Sequence, residues 1–390
     1  MTQGKKFFKA GDNMKKIRLA TTFSGIGAIE FAFKRLHLNH EIVFACDNGD
    51  IDADFDANEE FSKIKKLKNS VEKNNYVHDL YKSKSKKTNF VEISYKRNYE
   101  VKDDNFFYDV RLLDGTDFKN KVDIYVGGSP CQSFSIAGAR GGFEDTRGTL
   151  FYDYVRIVKE IQPKVFIYEN VYGILTHDKG KTWSIMQQVF SQLGYYFKWQ
   201  ILDARNYGIP QGRRRLFVIG FKDKKHFDNF EFPKEKKLEF TMQDFLLDNC
   251  SFGKFNAEKD GSIKIEKSHD EVNAKLFLSD LLIKYVMSPG TKTFYHEDVK
   301  IDLPIARAIL STQGNSHRAS VNNYVTTNGR IRALDPRESL RLMGFTDDFN
   351  IVVSKAQSYK QSGNSIVVDV LMEIMKCICI AMGDDIYGEN

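Results

Sequence analysis

Apolar residues fall into short runs along this chain, and five of these runs have a glycine, a cysteine or a carboxylate just beyond them. Ile17 to Phe23 predicts a first strand, which meets the glycine turn of F-S-G-I-G and then a helix opening in A-I-E-F-A-F. Ile42 to Cys46 predicts a second strand with Asp47 at its tip. A third ends at Asp109-Val110, after Phe106 to Tyr108. Val122 to Val126 predicts a fourth, followed by Gly127-Gly128 and then Cys131. A helix is expected over Leu150 to Ile161, and a strand from Lys164 to Tyr168 that ends in Glu169-Asn170-Val171. Tyr195 to Leu202 and Leu216 to Phe221 read as a strand pair around Y-G-I-P-Q-G-R-R-R, residues 207–215. Strands alternating with helices predict an α/β fold on a doubly wound, Rossmann-like parallel sheet, whose strand ends share one ligand-binding edge. Gly25, Asp47, Asp109, Cys131 and Glu169 should gather there.

The pattern also divides the chain. Residues 1–16 form a polar, lysine-bearing arm, and Met14 would serve as a start as well as Met1. Residues 17–229 make a large first domain that carries these strand ends, interrupted at about 49–107 by a surface insertion. In that insertion Asp50, Asp52, Asp54 and Asp56 read as a solvated acidic loop, and the lysines of 63–68 and 82–87 as a solvated face. Periodicity is lost from about 222, and residues 230–329 are read as a second, smaller domain. Order returns at 330–345, where Asp335 caps a helix opening with Pro336. Q-S-G-N-S (361–365) reads as a polar turn before an apolar helix to about Met382, which returns to the large domain and completes it over 330–390.

Composition narrows the classes. A chain of 390 residues that is 42% hydrophobic and 28% charged suits one large core plus a smaller domain. No apolar run reaches the ~18 residues of a membrane span, so a cytoplasmic protein is expected. Five cysteines without a C-x-x-C pair argue against a disulfide scaffold and against a zinc site; no metal is expected. Cys377 and Cys379 read as core filling. The net charge of +6 permits a polyanionic partner without demanding one.

The candidate chemistry starts from glycines. Gly25 and Gly27 let the backbone turn tightly and approach a ligand at a helix N-terminus. Asp47 lies twenty-two residues after Gly25, a distance that suits ribose hydroxyls. Ala28 stands where a dinucleotide site has its third glycine, which favours a nucleoside without pyrophosphate. A thiol, a carboxylate and arginines around a nucleoside site suggest attack on an electron-poor ring. Papain-like hydrolysis stays open, since a histidine could approach Cys131 in space, but it would leave the nucleoside site without a purpose. A thiolate adding at carbon 6 of cytosine, with a carboxyl group at N3, turns the ring into an enamine that accepts a methyl group at carbon 5.

F-S-G-I-G, G-G-S-P-C-Q-S-F-S, E-N-V, Q-G-R-R-R and Q-S-G-N-S stand in that order. In this the chain resembles the DNA cytosine-5 methyltransferases of bacterial restriction–modification systems, over about 17–48, 109–221 and 330–382. The resemblance implies S-adenosylmethionine as donor, held at Phe23, Ser24, Gly25 and Gly27, with Asp47 on the ribose and Asp109-Val110 on the adenine. Pro130, Leu150, Asn364 and Ser365 would complete the pocket. It implies Cys131 as nucleophile, Glu169 at N3 and the exocyclic amine, Arg215 at the cytosine carbonyl and Arg213 in support. The loop 131–149, with Ser135 and Arg147 on DNA, would close over a flipped-out base of double-stranded DNA. Residues 230–329 would be the target-recognition domain. The implied protein is a monomer in the nucleoid, with a cognate restriction endonuclease as its genetic partner. Asn48 departs from the pattern, because a large aromatic usually stands there. A tRNA cytosine-5 methyltransferase and a catalytically silent DNA-binding relative are the alternatives.

Overall fold

Seven strands build one sheet: β1 (Ile17–Thr22), β2 (His40–Cys46), β3 (Phe106–Phe107), β4 (Ile124–Gly127), β5 (Val165–Val171), β6 (Tyr196–Asp203) and β7 (Arg214–Phe221). Their order is β3-β2-β1-β4-β5-β7-β6, with β7 antiparallel to both neighbours and the remaining pairings parallel. The computed structural model describes residues 15–130, 150–247, 254–266, 272–290, 298–313 and 318–386. Among them no helix is long and apolar enough to cross a membrane.

Alternation along the strands explains how both faces are covered. Leu19, Ile124, Val126, Val165 and Ile167 point to one face, and Ala20, Tyr125, Phe166 and Tyr168 to the other. On the first face lie α1 (Ala28–Arg35) and a C-terminal helix, Val368–Met382, whose buried Leu371, Ile374, Met375 and Ile378 repeat at helical spacing. On the second lies the Leu150–Ile161 helix, which contributes Phe151, Tyr154, Val155 and Val158.

Three expectations need correction. The strand expected to stop at Tyr168 runs on to Val171, so Glu169 sits within it. The cause is the antiparallel neighbour: β7 pairs Phe217 with Glu169 and Arg215 with Val171, beyond where the parallel strands end. The Q-S-G-N-S segment is not a turn. All but its last residue form the end of a helix, Lys355–Asn364, capped by the Ser354 side chain. The insertion is more than a solvated face. It folds into α2 (Ala57–Ile64), α3 (Ser70–Lys84) and α4 (Phe90–Asn98), capped by Asp56, Asn69 and Asn89. A small core of Ile51, Ile64, Val77, Tyr81 and Leu112 seats it on the sheet edge. Lys73 is buried there against Asp114 and Asp117, 2.8 Å from each.

Beyond β7 the chain first stays on the main core, to which Phe230, Met242, Phe245 and Phe255 belong. A hairpin of Lys254–Ala257 and Ile263–Glu266 is pinned there by Arg35, which pairs with Asp369 (2.8 Å) and donates to the Gly261 carbonyl (2.6 Å). A separate small core holds Val286, Ala319 and Tyr324, beside the Asp280–Val286 helix and a hairpin of Tyr324–Thr327 and Arg330–Ala333. Asp335 then caps the Pro336–Arg341 helix in a capping box with Glu338, as expected.

Candidate active site

The parallel strands end in one row. Phe107 pairs with Cys46, Cys46 with Thr22, Thr22 with Gly127 and Gly127 with Tyr168. The residues that follow these five are Tyr108, Asp47, Phe23, Gly128 and Glu169, so register alone brings the expected site together.

At the β1 end the loop takes left-handed conformations at Phe23 (φ 55°), Gly25 (53°) and Gly27 (76°). Such a turn is strained for Phe23 and natural for the two glycines. It aims the Gly25 amide at Asp47 Oδ2 (2.9 Å), while Gly49 donates to Oδ1 (2.8 Å). Burial pushes the Asp47 carboxyl above the usual range, and these two amides work against that rise. Each oxygen takes one of these amides, and a carboxylate has about four acceptor sites, so two ribose hydroxyls can still be accepted. Among the described residues, a Cβ added at Gly25 would meet no atom within 4 Å. Ser24 accepts from the Cys46 amide (2.9 Å) and lies 2.7 Å from Thr21 Oγ1, which locks the loop to β2. These residues fit the nucleoside end of the expected donor.

Asp109 is different. Its Oδ1 accepts from the Arg111 amide (2.9 Å) and Nε (3.0 Å), and its Oδ2 from Arg111 Nη2 and the Tyr81 hydroxyl, both at 2.7 Å. It is buried with Val110, and its carboxylate is largely engaged within the protein. Asn48 makes a turn, accepting from the Asp50 amide at 3.1 Å. Leu150 is half-buried, Pro130 and Asn364 are exposed, and Ser365 is buried.

The catalytic candidates cluster one strand further on. Glu169 Oε1 lies 3.1 Å from Arg215 Nε, with 14% of the Glu169 side chain exposed. Burial raises the Glu169 pKa, and the positive charges of Arg215 and Arg213 partly offset the rise. A Cβ on Gly128 would stand 2.9 Å from both Glu169 Oε2 and the Glu169 carbonyl, so only glycine lets the two strand ends approach this closely. Ser129 Oγ lies 2.8 Å from Tyr168 Oη, and Asn170 Nδ2 reaches both Tyr168 Oη (2.7 Å) and the Ser129 carbonyl (3.2 Å). That buried network ties the turn before Cys131 to the strand carrying Glu169. Sequence reading missed it, although S-P-C and E-N-V flank its members. Cys131 follows Pro130 directly; with Ser135 and Arg147 it lies outside the described residues.

Arg213 does not reach the open edge. It is buried, and its terminal nitrogens donate to the carbonyls of Ile309 (2.8 Å), Gly363 (2.9 Å) and Ser365 (2.8 Å). Burial first, then the neighbouring Arg215, pull its pKa down to about 9. Gln211 works beside it, accepting from the Ile309 amide (2.9 Å) and donating to the Leu342 carbonyl (2.6 Å). Gly363 is packed so closely on Leu310 and Ser311 that a Cβ would stand 2.1 Å from the Ser311 nitrogen. Q-G-R-R-R, residues 309–311 and Q-S-G-N-S are thus bound into one unit.

Comparison with known proteins settles the family. The sequence matches the family described as C-5 cytosine-specific DNA methylase over residues 61–379. The chain belongs to that family. It is therefore a C-5 cytosine-specific DNA methyltransferase by class. The type II methyltransferase M.HhaI of Haemophilus parahaemolyticus is 35% identical over 252 residues, covering 65% of this chain and 74% of that protein. M.HpaII of Haemophilus parainfluenzae, also a type II methyltransferase, is 35% identical over 284 residues, covering 68% and 74%. The orphan methyltransferase M.SPRI of Bacillus phage SPR is 29% identical, covering 93% of this chain and 97% of its own. Among solved structures, the S. pombe Dnmt2 methyltransferase aligns over 94% of this chain and 100% of its own. Its TM-score of 0.63 at 16% identity establishes the shared methyltransferase fold.

Proposed function

We propose that this methyltransferase moves a methyl group from S-adenosylmethionine to carbon 5 of a cytosine within a short sequence of double-stranded DNA. The observation that carries the reading is Glu169: a largely buried carboxyl of raised pKa, paired with Arg215 and packed on the glycine turn that leads to Cys131. When bound, the donor supplies an electrophilic methyl group on a sulfonium, next to Asp47 and the F-S-G-I-G loop. The target base leaves the stack, because carbon 6 cannot be attacked face-on inside a duplex. The Cys131 thiolate forms a bond to carbon 6, while Glu169 gives a proton to N3 and accepts from the exocyclic amine. Arg215 donates to the cytosine carbonyl, and Arg213 supports it from within the protein. The electron pair released toward carbon 5 takes the methyl group, whose bond to the sulfonium sulfur breaks and leaves a neutral thioether holding that bond's electrons. Loss of the carbon 5 proton to solvent then expels the thiolate, and the N3 proton returns to Glu169.

Sequence selection is assigned to the 230–329 region, and within it to the part built on the small core of Val286, Ala319 and Tyr324. Side chains there would read base edges in a groove, and each good bidentate pair gives about 1–3 kcal/mol of discrimination. Ser135 and Arg147 would contact the DNA as the 131–149 loop closes. The protein is proposed to act as a monomer on chromosomal DNA in the cytoplasm, protecting it from a cognate restriction endonuclease. Bisulfite sequencing of DNA from cells expressing the chain tests this. Full methylation of one cytosine in one short sequence is expected, and unmethylated DNA would overturn the reading.

A further inference from the structure

The insertion between β2 and β3 carries buried and half-buried polar side chains for which methyl transfer, as described above, has no use. Four of them, on α3, α4 and at their boundaries, end on groups that form the nucleoside edge. Tyr81 Oη donates to Asp109 Oδ2 at 2.7 Å. Asn89 Nδ2 donates to the Asp47 carbonyl at 2.9 Å. Tyr95 Oη donates to Glu30 Oε1 at 2.6 Å, and Tyr99 Oη lies 2.6 Å from the Gly27 carbonyl and 3.0 Å from that of Ile26.

We propose that the insertion is a cofactor-affinity element, in which Asn89, Tyr95 and Tyr99 are positioning residues that hold the F-S-G-I-G loop and Asp47 in binding geometry. The inference rests on the reading of that edge as the S-adenosylmethionine pocket. Three observations carry it. The Tyr99 ring lies where a side chain on Gly27 would be, with a Cβ there only 2.2 Å from the ring. The loop's left-handed turn is therefore held by α1 on one side and by the ring on the other. Tyr95 reaches the loop through a chain of contacts: its hydroxyl meets Glu30, Glu30 accepts from Thr21 (3.1 Å), and Thr21 lies 2.7 Å from Ser24. Glu30 is fully buried and its Oε2 has no hydrogen-bond partner among the described residues, where Tyr95 and Thr21 supply its side-chain support. Asn89 fixes Asp47 from behind, and its Oδ1 would stand 2.3 Å from a Cβ on Gly49, the residue whose amide binds the Asp47 carboxylate.

The C-terminal side closes the same frame, with Gln361 accepting from Ser94 (2.9 Å) and Lys360 paired with Asp50 (2.8 Å). A DNA-reading role for the insertion has less support. Lys63, Lys73 and Lys96, three of its cations, are already paired with Glu59, Asp114 and Glu92.

The test uses Tyr95→Phe, Tyr99→Phe and Asn89→Asp in the full chain. The two Tyr→Phe changes keep the ring and remove only the hydroxyl, while Asn89→Asp keeps the helix cap and puts a carboxylate oxygen where the amide donated to the Asp47 carbonyl. Calorimetry with S-adenosylmethionine should show Kd raised about two- to tenfold per variant, the range for one lost neutral hydrogen bond. KM for the donor should follow, with kcat and duplex affinity near wild type and the cofactor-free melting temperature lowered by only a few degrees. Lower melting temperature with unchanged Kd would make these residues merely structural and overturn the inference. So would loss of duplex affinity at wild-type Kd. Asp47→Ala serves as the reference. If it too binds the donor like wild type, the pocket itself has been misread. If only the three insertion variants do so, the failure belongs to this inference alone.

Discussion

Glu169→Gln should lower the single-turnover rate of methyl transfer about 10²- to 10⁴-fold, the usual contribution of a positioned acid or base. The amide preserves the shape: it can donate to N3 and accept from the exocyclic amine, so binding of the flipped base survives. What it cannot do is release a proton to N3 as carbon 6 is attacked. The structure adds a pH signature. Because burial raises the Glu169 pKa, its proton is held further towards neutrality than on an ordinary carboxyl, and the wild-type rate should fall as pH rises through that pKa. The glutamine variant should lose this limb of the profile. Stability should not suffer from the substitution. A carboxyl whose pKa is raised on folding loses stability between its unfolded and folded values as pH rises, so removing the charge should not lower Tm at pH 8. A variant within tenfold of the wild-type rate would take Glu169 out of the acid's role.

Arg213→Ala should cost about 3–5 kcal/mol of stability, read from the urea midpoint at unchanged slope. Three carbonyls, of Ile309, Gly363 and Ser365, would lose their donor inside the protein, and a large side-chain volume would be left empty. Arg213→Lys should recover only part of this, since an ammonium cannot span three carbonyls as a planar fork does. Activity should fall with stability, because Arg213 stands between the β7 strand of Arg215 and the C-terminal helices. A loss below about 1 kcal/mol would contradict this scaffold role.

What could be read from the sequence depended on whether burial left a periodic trace. β1, β2 and β4 bury the ends that meet at one register, so their apolar runs stop within a residue of where the strands stop. β5 breaks that rule. Glu169 and Asn170 are polar yet lie in the strand, because β7 is antiparallel and continues to pair with them. The helix ending in Q-S-G-N-S is polar because it packs by close approach at Gly363 rather than by an apolar stripe. The insertion helices did carry a legible signal, since Asp56, Asn69 and Asn89 each stand three residues before a glutamate. The residues holding the cofactor loop were hidden for another reason. Tyr95 and Tyr99 act on Glu30 and Gly27 across 65 and 72 positions, and no local pattern records such a contact. Scattered Phe230, Phe245 and Phe255 likewise join the main core from irregular segments without a period.

The central claim is a covalent bond between Cys131 and carbon 6 of the target cytosine. It is tested most directly by incubating the protein with S-adenosylmethionine and a duplex carrying 5-fluorocytosine at the mapped target. Fluorine occupies the position whose proton must leave, so the thiolate cannot be expelled. Intact mass spectrometry should show one protein joined to one methylated strand, with the link on the Cys131 peptide. Omitting the donor or substituting Cys131→Ser should abolish the adduct. A wild-type protein that methylates ordinary duplex yet forms no adduct with the fluorinated one would contradict the account.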